Sequence, residues 1–172
     1  MPSVSFKGGA GSSAGADLSV RLRPVEPADK PFLFELFRAI RAPRLDFQPG
    51  GHPQMAPMIR LQFQALEHAL AANFPHANHS LLVAVGVPVG RIMESRTPTE
   101  VQLVDISLLP ARQRQGIGSL VVEGLLDQAR AEHLPVRCQV QQNNPGGYIF
   151  FRSLGFHLVA HDTAYAHLEW KP

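Results

Sequence analysis

At 172 residues the chain has the length of one domain, long enough to bury roughly two-thirds of its surface on folding. Hydrophobic residues make up 45% and charged residues 17%, and a net charge of +2 gives no reason to expect a nucleic acid or an acidic membrane as partner. A single cysteine excludes an internal disulfide framework, no apolar run is long enough to span a bilayer, and the first residues lack the apolar core of a secretory signal, so a cytoplasmic location is the default expectation.

Residues 3–16 are mostly Ser, Gly and Ala. Such a stretch buries too little apolar surface to offset the entropy of ordering, so residues 1–17 are expected to be a mobile tail or an expression remnant ahead of a single domain at 18–172. Leu18, Val20 and Leu22 alternate with polar residues as a half-buried strand that Pro24 ends. Glu26-Pro27-Ala28-Asp29 reads as a helix entry, with Phe32, Leu33, Leu36, Phe37 and Ile40 on one apolar face. A loop runs from Arg41 to Pro57, followed by a second helix with Met58, Leu61, Phe63, Ala65, Leu66 and Leu70 partly buried. Leu81–Val85 and Val87–Met93 flank Gly86 as a hairpin, and Val101–Leu109 is a longer strand. Ile117–Glu132 is the clearest helix, with a ridge of Ile117, Val121, Leu125 and Ala129. Pro135 breaks the chain before the alternating strand Val136–Gln141, in which Cys138 reads as a small buried hydrophobe. Pro145–Ser153 is a short helix closed by Gly155 in the left-handed conformation, and the strands Phe156–Ala160 and Ala164–Trp170 finish the chain. The order β-α-α-β-β-β-α-β-α-β-β packs most economically as an α+β fold, an α/β/α sandwich: a mixed, mostly antiparallel sheet of six to seven strands with helices on both faces.

The strand ending at Leu109 passes through Pro110 into Ala111–Gly118 and then into a helix. Unpaired amides and the helix dipole make such a place an anion site, and Gly116 and Gly118 remove two Cβ atoms from the path of an approaching phosphate. Arg112 and Arg114 add positive charge, so a pyrophosphate is the natural guest, unless the segment is a plain strand-to-helix turn with Gly for its geometry alone. A Walker loop is absent, and Val121 stands where a dinucleotide fingerprint needs its third glycine.

Gln113-x-x-Gly116-x-Gly118 resembles the Arg/Gln-x-x-Gly-x-Gly/Ala signature of the GCN5-related N-acetyltransferase (GNAT) superfamily. Asp105–Pro110 looks like the strand that precedes it there, and Asn144-Pro145 with Phe150–Phe156 resembles the downstream Asn-x-x-Ala…Tyr-x-x-x-Gly-Phe element. The resemblance covers about residues 18–170 and implies the acyl-CoA N-acyltransferase fold, with acetyl-CoA as cosubstrate and no metal. It implies that the amides of Gln113, Arg114, Gln115, Gly116, Ile117, Gly118 and Ser119 bind the coenzyme A pyrophosphate. Leu108 and Leu109 would offer backbone groups to the acetyl and pantetheine portions, and Asn144 would contact the pantetheine arm unless it only caps the helix at Pro145.

Amines near pKa 10 are mostly protonated at neutral pH, so a base is useful. Asp105, an acid in an otherwise apolar strand, is the first candidate unless it pairs with an arginine; Glu100, His76 and His79 are weaker ones. The family often has a Tyr, as general acid for the thiolate, where Phe150 is placed; Phe150 would still pack against the cofactor arm. Tyr148 lies roughly 200° away round the helix, leaving Tyr165 or unaided departure of the thiolate, or an acyl-CoA-binding protein with little turnover. The resemblance implies a small-molecule or peptide amine acceptor, set by Arg41–Pro57, with Arg41, Arg44, Asp46 and His52, and by His161–His167. Self-association as a homodimer is left open.

Overall fold

From residue 19 onward the elements follow the order read from the sequence. The computed structural model describes residues 5–7, 19–41 and 55–172. The strands are β1 (Ser5–Lys7), β2 (Ser19–Pro24), β3 (Asn78–Ala84), β4 (Val87–Arg96), β5 (Val101–Leu108), β6 (Val136–Gln141), β7 (His157–His161) and β8 (Tyr165–Trp170). The helices are α1 (Lys30–Arg41), α2 (Met55–Asn73), α3 (Ile117–Ala131) and α4 (Pro145–Ser153). One mixed sheet runs β1-β2-β3-β4-β5-β6-β8-β7, antiparallel throughout except between β5 and β6.

The sheet has eight strands where six to seven are expected. The additional one is β1, inside the stretch expected to be a tail: Ser5, Phe6 and Lys7 pair with Arg21, Val20 and Ser19. Without it β2 would present a row of unpaired backbone groups, which even three residues can satisfy in part. The rest of residues 1–18 lies outside the described residues.

The β3–β4 hairpin turns on Val85 and Gly86, whose φ angles of 50° and 76° are both left-handed, as a two-residue turn that follows strand twist requires. The second helix begins at Met55, ahead of Pro57, because a proline in the first turn withholds an N–H that has no partner there anyway. Its buried stripe also differs from the expected one. Ile59 and Phe63 are buried and Leu66 and Leu70 half-buried, at spacings of four, three and four, while Met58, Leu61 and Ala65 face outward.

Two apolar layers sandwich the sheet. On one face Val121, Val122, Leu125 and Leu126 of α3 and Phe151 of α4 pack on Val101, Leu103, Val136, Cys138 and Leu168. On the other, Leu33 of α1 and Phe63 of α2 pack on Leu81 and Val83.

Two irregularities in β5 shape the centre of the sheet. Met93 pairs with Asp105 and Glu94 with Leu103, so Val104 is an extra residue opposite β4. Such a bulge switches the faces of the side chains beyond it. Val101 and Leu103 belong to the α3 layer before it, and Ile106 and Leu108 after it. Asp105 is thereby turned toward the face carrying α1 and α2. The second irregularity is that β5 and β6 share only Val101/Val136, Gln102/Arg137 and Leu103/Cys138. Past Leu103 and Cys138 the two strands have no mutual hydrogen bonds, and the sheet opens there.

Candidate active site

The opening between β5 and β6 is part of a cavity of about 520 Å³. Its walls include residues 102–108 of β5, residues 138–141 of β6, Gln113, Asn144, Phe151 and Tyr165. The α1–α2 face closes it with Leu33, Leu36, Phe37 and Ile40 on one side and Leu66 and Leu70 on the other. The cavity therefore joins the two faces of the sheet at the place where β5 and β6 stop pairing.

At its end lies the turn before α3. Gly116 is the N-cap residue, left-handed at φ 81°, and no atom stands within 4 Å of the position its Cβ would take. Arg114 is also left-handed, at φ 58°. Leu120 donates to the Gly116 carbonyl at 3.0 Å, so the preceding helical amides of Ile117, Gly118 and Ser119 have no carbonyl one turn back within the helix. A Cβ on Gly118 would lie 3.4 Å from the Phe150 ring and 3.8 Å from a Leu108 methyl, so the turn rests on those two side chains. Residues 113–116 are exposed, and this glycine cradle at a helix N-terminus fits a pyrophosphate.

Some of the expected backbone donors are already used. The Gln113 N–H donates to Pro110 O at 3.3 Å, and the Leu109 N–H to Val89 O at 2.9 Å. The Gln113 side chain donates to Leu108 O at 2.9 Å, and that of Gln115 to Ala111 O at 2.8 Å, which fixes the turn against the end of β5. Asn144 lines the cavity, while its Oδ1 accepts from Gly147 N at 3.1 Å as the cap of α4.

The aromatic positions on α4 differ from the expectation by one residue. Phe151, not Phe150, lines the cavity; Phe150 packs behind Gly118. The interval Phe151-x-x-x-Gly155-Phe156 carries this in the sequence, since it has the spacing of Tyr-x-x-x-Gly-Phe, and the adjacent Phe150 obscured it. Phe151 is 7% exposed and carries no proton to donate. Tyr148 packs on the α3 layer, and Tyr165 is the phenol that lines the cavity.

Tyr165 opens β8, and the turn before it is tightly held. Asp162 accepts from Ala164 N at 2.7 Å and Tyr165 N at 2.8 Å, and lies 2.8 Å from His167 Nε2. The His167 contact first, then the two amides, hold its carboxyl down at about 2.

Asp105 lines the cavity and is paired with an arginine. Arg91 Nε donates to Asp105 Oδ2 at 2.7 Å, Arg91 Nη1 to Glu67 Oε1 at 2.7 Å, and Ser107 Oγ to Asp105 at 3.1 Å. The Arg91 side chain is only 7% exposed, whereas the Glu67 and Asp105 side chains are 32% and 27% exposed. Despite the burial, the two carboxylates raise the guanidinium above its ordinary pKa. His79 on β3 belongs to the same cluster; its Nε2 is buried without a hydrogen-bond partner, and burial followed by the Arg91 charge lowers its pKa. Arg91 and Glu67 were not readable as site residues, being 14 and 38 positions from Asp105 in sequence.

The other candidates do not come together with these. Glu100 pairs with Arg137 at 2.8 Å, and His76 is exposed in the turn before β3. Burial pushes the Cys138 thiol up to about 12, as befits a small core residue and not a nucleophile. Arg41 lines the cavity; Arg44, Asp46 and His52 lie outside the described residues. Among the described residues no group of three or more His, Cys, Asp or Glu side chains could hold a metal ion, and no helix is long and apolar enough to cross a membrane.

A family model described as the acetyltransferase (GNAT) family matches residues 41–156. No curated protein matches the chain in sequence. Among solved structures, the PaiA N-acetyltransferase of Thermoplasma acidophilum, in complex with coenzyme A, superposes with a TM-score of 0.65 at 18% identity, over 89% of this chain and 99% of its own. An acetyltransferase from Thermus thermophilus gives 0.64 at 20% identity, over 89% and 97%. Ard1 from Thermoplasma volcanium gives 0.60 at 19%, over 88% and 97%. At such identities the likeness is one of fold.

Proposed function

The chain belongs to the acetyltransferase (GNAT) family, and from that premise we propose that it moves the acetyl group of acetyl-CoA to a primary amine by direct transfer in a ternary complex. The observation that carries this reading is the cavity that crosses the sheet where β5 leaves β6, with the glycine turn of α3 at one end and the α1–α2 face at the other. Coenzyme A would lie with its pyrophosphate on the amides of Arg114–Ser119, its arm between β5 and β6 beside Leu108, Asn144 and Phe151, and its thioester near Asp105. The acceptor would enter from the α1–α2 face.

The acetyl donor supplies a carbonyl carbon open to attack by a neutral amine, with a thiolate as leaving group. The residues must therefore take a proton from the ammonium. Asp105 is the base in this reading: the bulge at Val104 turns it out of the core, and Arg91 and Ser107 fix its carboxylate while leaving it partly exposed. Phe151 can exclude water from the thioester but cannot protonate sulfur. The thiolate, with an ordinary pKa of about 8.5, can leave without a proton, or Tyr165 can supply one.

Asp105→Asn tests the base. A lost general base lowers kcat/KM by roughly a hundredfold or more at neutral pH. The deficit should shrink as pH approaches the amine's own pKa, near 10. A profile parallel to that of the parent removes Asp105 from the role. Calorimetric titration with acetyl-CoA tests the wider reading, and no binding at millimolar concentration overturns it. Binding without thiol release over a broad amine panel would instead favour an acyl-CoA-binding protein, to which the missing Tyr at Phe151 points.

A further inference from the structure

The α1–α2 half of the cavity has apolar walls and a charged floor. Leu33, Leu36, Phe37 and Ile40 of α1 face Leu66 and Leu70 of α2. Arg91 and Asp105 line the floor, and Arg91 also pairs with Glu67 outside the lining, each carboxylate 2.7 Å away, so the cluster carries a single net negative charge. His79 beside it stays neutral near pH 7, because burial and the Arg91 charge both lower its pKa. The one charged side chain that α1 adds to the lining is Arg41, whose guanidinium lies 5.5 Å from the centroid of the Phe37 ring.

This arrangement discriminates among amines. One ammonium is matched by the floor. Among the described residues, a second ammonium further along the same molecule would find no carboxylate on these walls, and Arg41 would repel it. Between α1 and α2 the hydroxyls of an amino sugar or the amides of a peptide would lose water against six apolar side chains, because the polar lining residues Gln102, Ser107, Gln139 and Gln141 belong to the strands. An alkyl or aryl stem gains from the same walls, about fourfold in affinity for each methylene removed from water.

Resting on the acetyl-transfer reading above, we propose that the acceptor is a small monoamine on an apolar stem, with its nitrogen toward Asp105 and its stem between α1 and α2. Arg41 and Leu70 are specificity-determining in this arrangement, one by repelling extra positive charge and the other by denying it a partner.

The test is a thiol-release assay on the full chain at saturating acetyl-CoA, with n-propylamine to n-hexylamine, phenethylamine, spermidine and an unmodified hexapeptide. The expected kcat/KM rises about fourfold per methylene from propylamine, and hexylamine exceeds spermidine and the peptide by at least tenfold. A flat series, or spermidine or the peptide equal to hexylamine, overturns the proposal. Leu70→Glu places a carboxylate on the wall and should shift the hexylamine-to-spermidine ratio at least tenfold toward spermidine. Arg41→Ala, at the last residue of α1, should shift it the same way by at least threefold even if the first variant folds poorly. An unchanged ratio in Arg41→Ala counts against the proposal. Titrating the same amines calorimetrically into the chain with coenzyme A reads the acceptor site without turnover. Hexylamine binding tighter than spermidine, with no thiol released, would sink the transferase reading and leave the acceptor class standing; the reverse order of affinities would sink the acceptor class.

Discussion

Gly116 combines two properties that usually travel apart. Its φ of 81° is one that L side chains adopt at a cost of roughly 1–2 kcal/mol, yet the space around its Cβ position is empty. A side chain there would strain the backbone slightly and would project into the volume assigned to the pyrophosphate. Asn tolerates the left-handed conformation better than Val does. Gly116→Asn should therefore melt within a few degrees of the parent and Gly116→Val somewhat lower, while both lose at least tenfold in acetyl-CoA affinity by calorimetry. Parent-like affinity in the Asn variant would move the pyrophosphate elsewhere. His79 offers a second test at this scale. Its pKa in the folded chain lies below the ordinary 6.5, through burial and then Arg91, with Glu67 and Asp105 pulling weakly the other way. A depressed pKa means that the unfolded chain binds the proton first. The stabilisation is complete above pH 6.5 and is lost as pH falls from there toward the folded value. Between pH 7.5 and 5.5 the parent should lose more stability in urea unfolding than His79→Gln, with a slope of at most about 1.36 kcal/mol per pH unit, the limit for one proton. Equal losses would place the slope on another group.

The elements show which parts of the site a sequence can display. β6 and α4 have the bounds read from the sequence because their signals are local: Pro135 before the strand, Asn144-Pro145 opening the helix, and Gly155 closing it at φ 88°. The bulge in β5 left no such signal. Val101, Leu103 and Asp105 alternate regularly, and only pairing with β4 shows that Val104 is extra and Asp105 faces the other way. Arg91 and Glu67 were silent for the same reason, since their partnership with Asp105 exists only once β4, β5 and α2 are packed. In α4 two adjacent phenylalanines differ in role because they sit 100° apart on the helix, one under Gly118 and one in the cavity. Asn144 serves the helix through Oδ1, and a cofactor contact would have to use Nδ2. Asn144→Asp keeps the acceptor for Gly147 and removes the donor, so it should hold its melting temperature and lose about two- to tenfold in acetyl-CoA affinity, the worth of one hydrogen bond. Asn144→Ala should lose the same affinity and about 1 kcal/mol of stability as well. Unaltered affinity in the Asp variant would make Asn144 a cap and nothing more.

Across the whole molecule, the sheet is two blocks, β1–β5 and β6–β8, joined by three residue pairs between β5 and β6 and by the core under α3. The opening between the blocks is also where the cofactor arm would lie, so the same feature that would admit acetyl-CoA weakens the sheet without it. A ligand bridging β5, the α3 turn and α4 would replace the missing strand contacts. Binding to the folded chain alone adds RT ln(1 + [L]/Kd), about 2.7 kcal/mol at a hundredfold excess over Kd. For a domain of this size that is a rise in Tm of roughly 5–10 °C. The gain in hydrogen-exchange protection should be concentrated at the amides of residues 114–119, 106–108 and 139–141, on both sides of the opening, with β1 and β2 little changed. Protection confined to residues 114–119 would describe a ligand held by its pyrophosphate alone, with its arm outside the sheet. Acetyl transfer through the cavity would then lose its support, because the thioester would never reach Asp105.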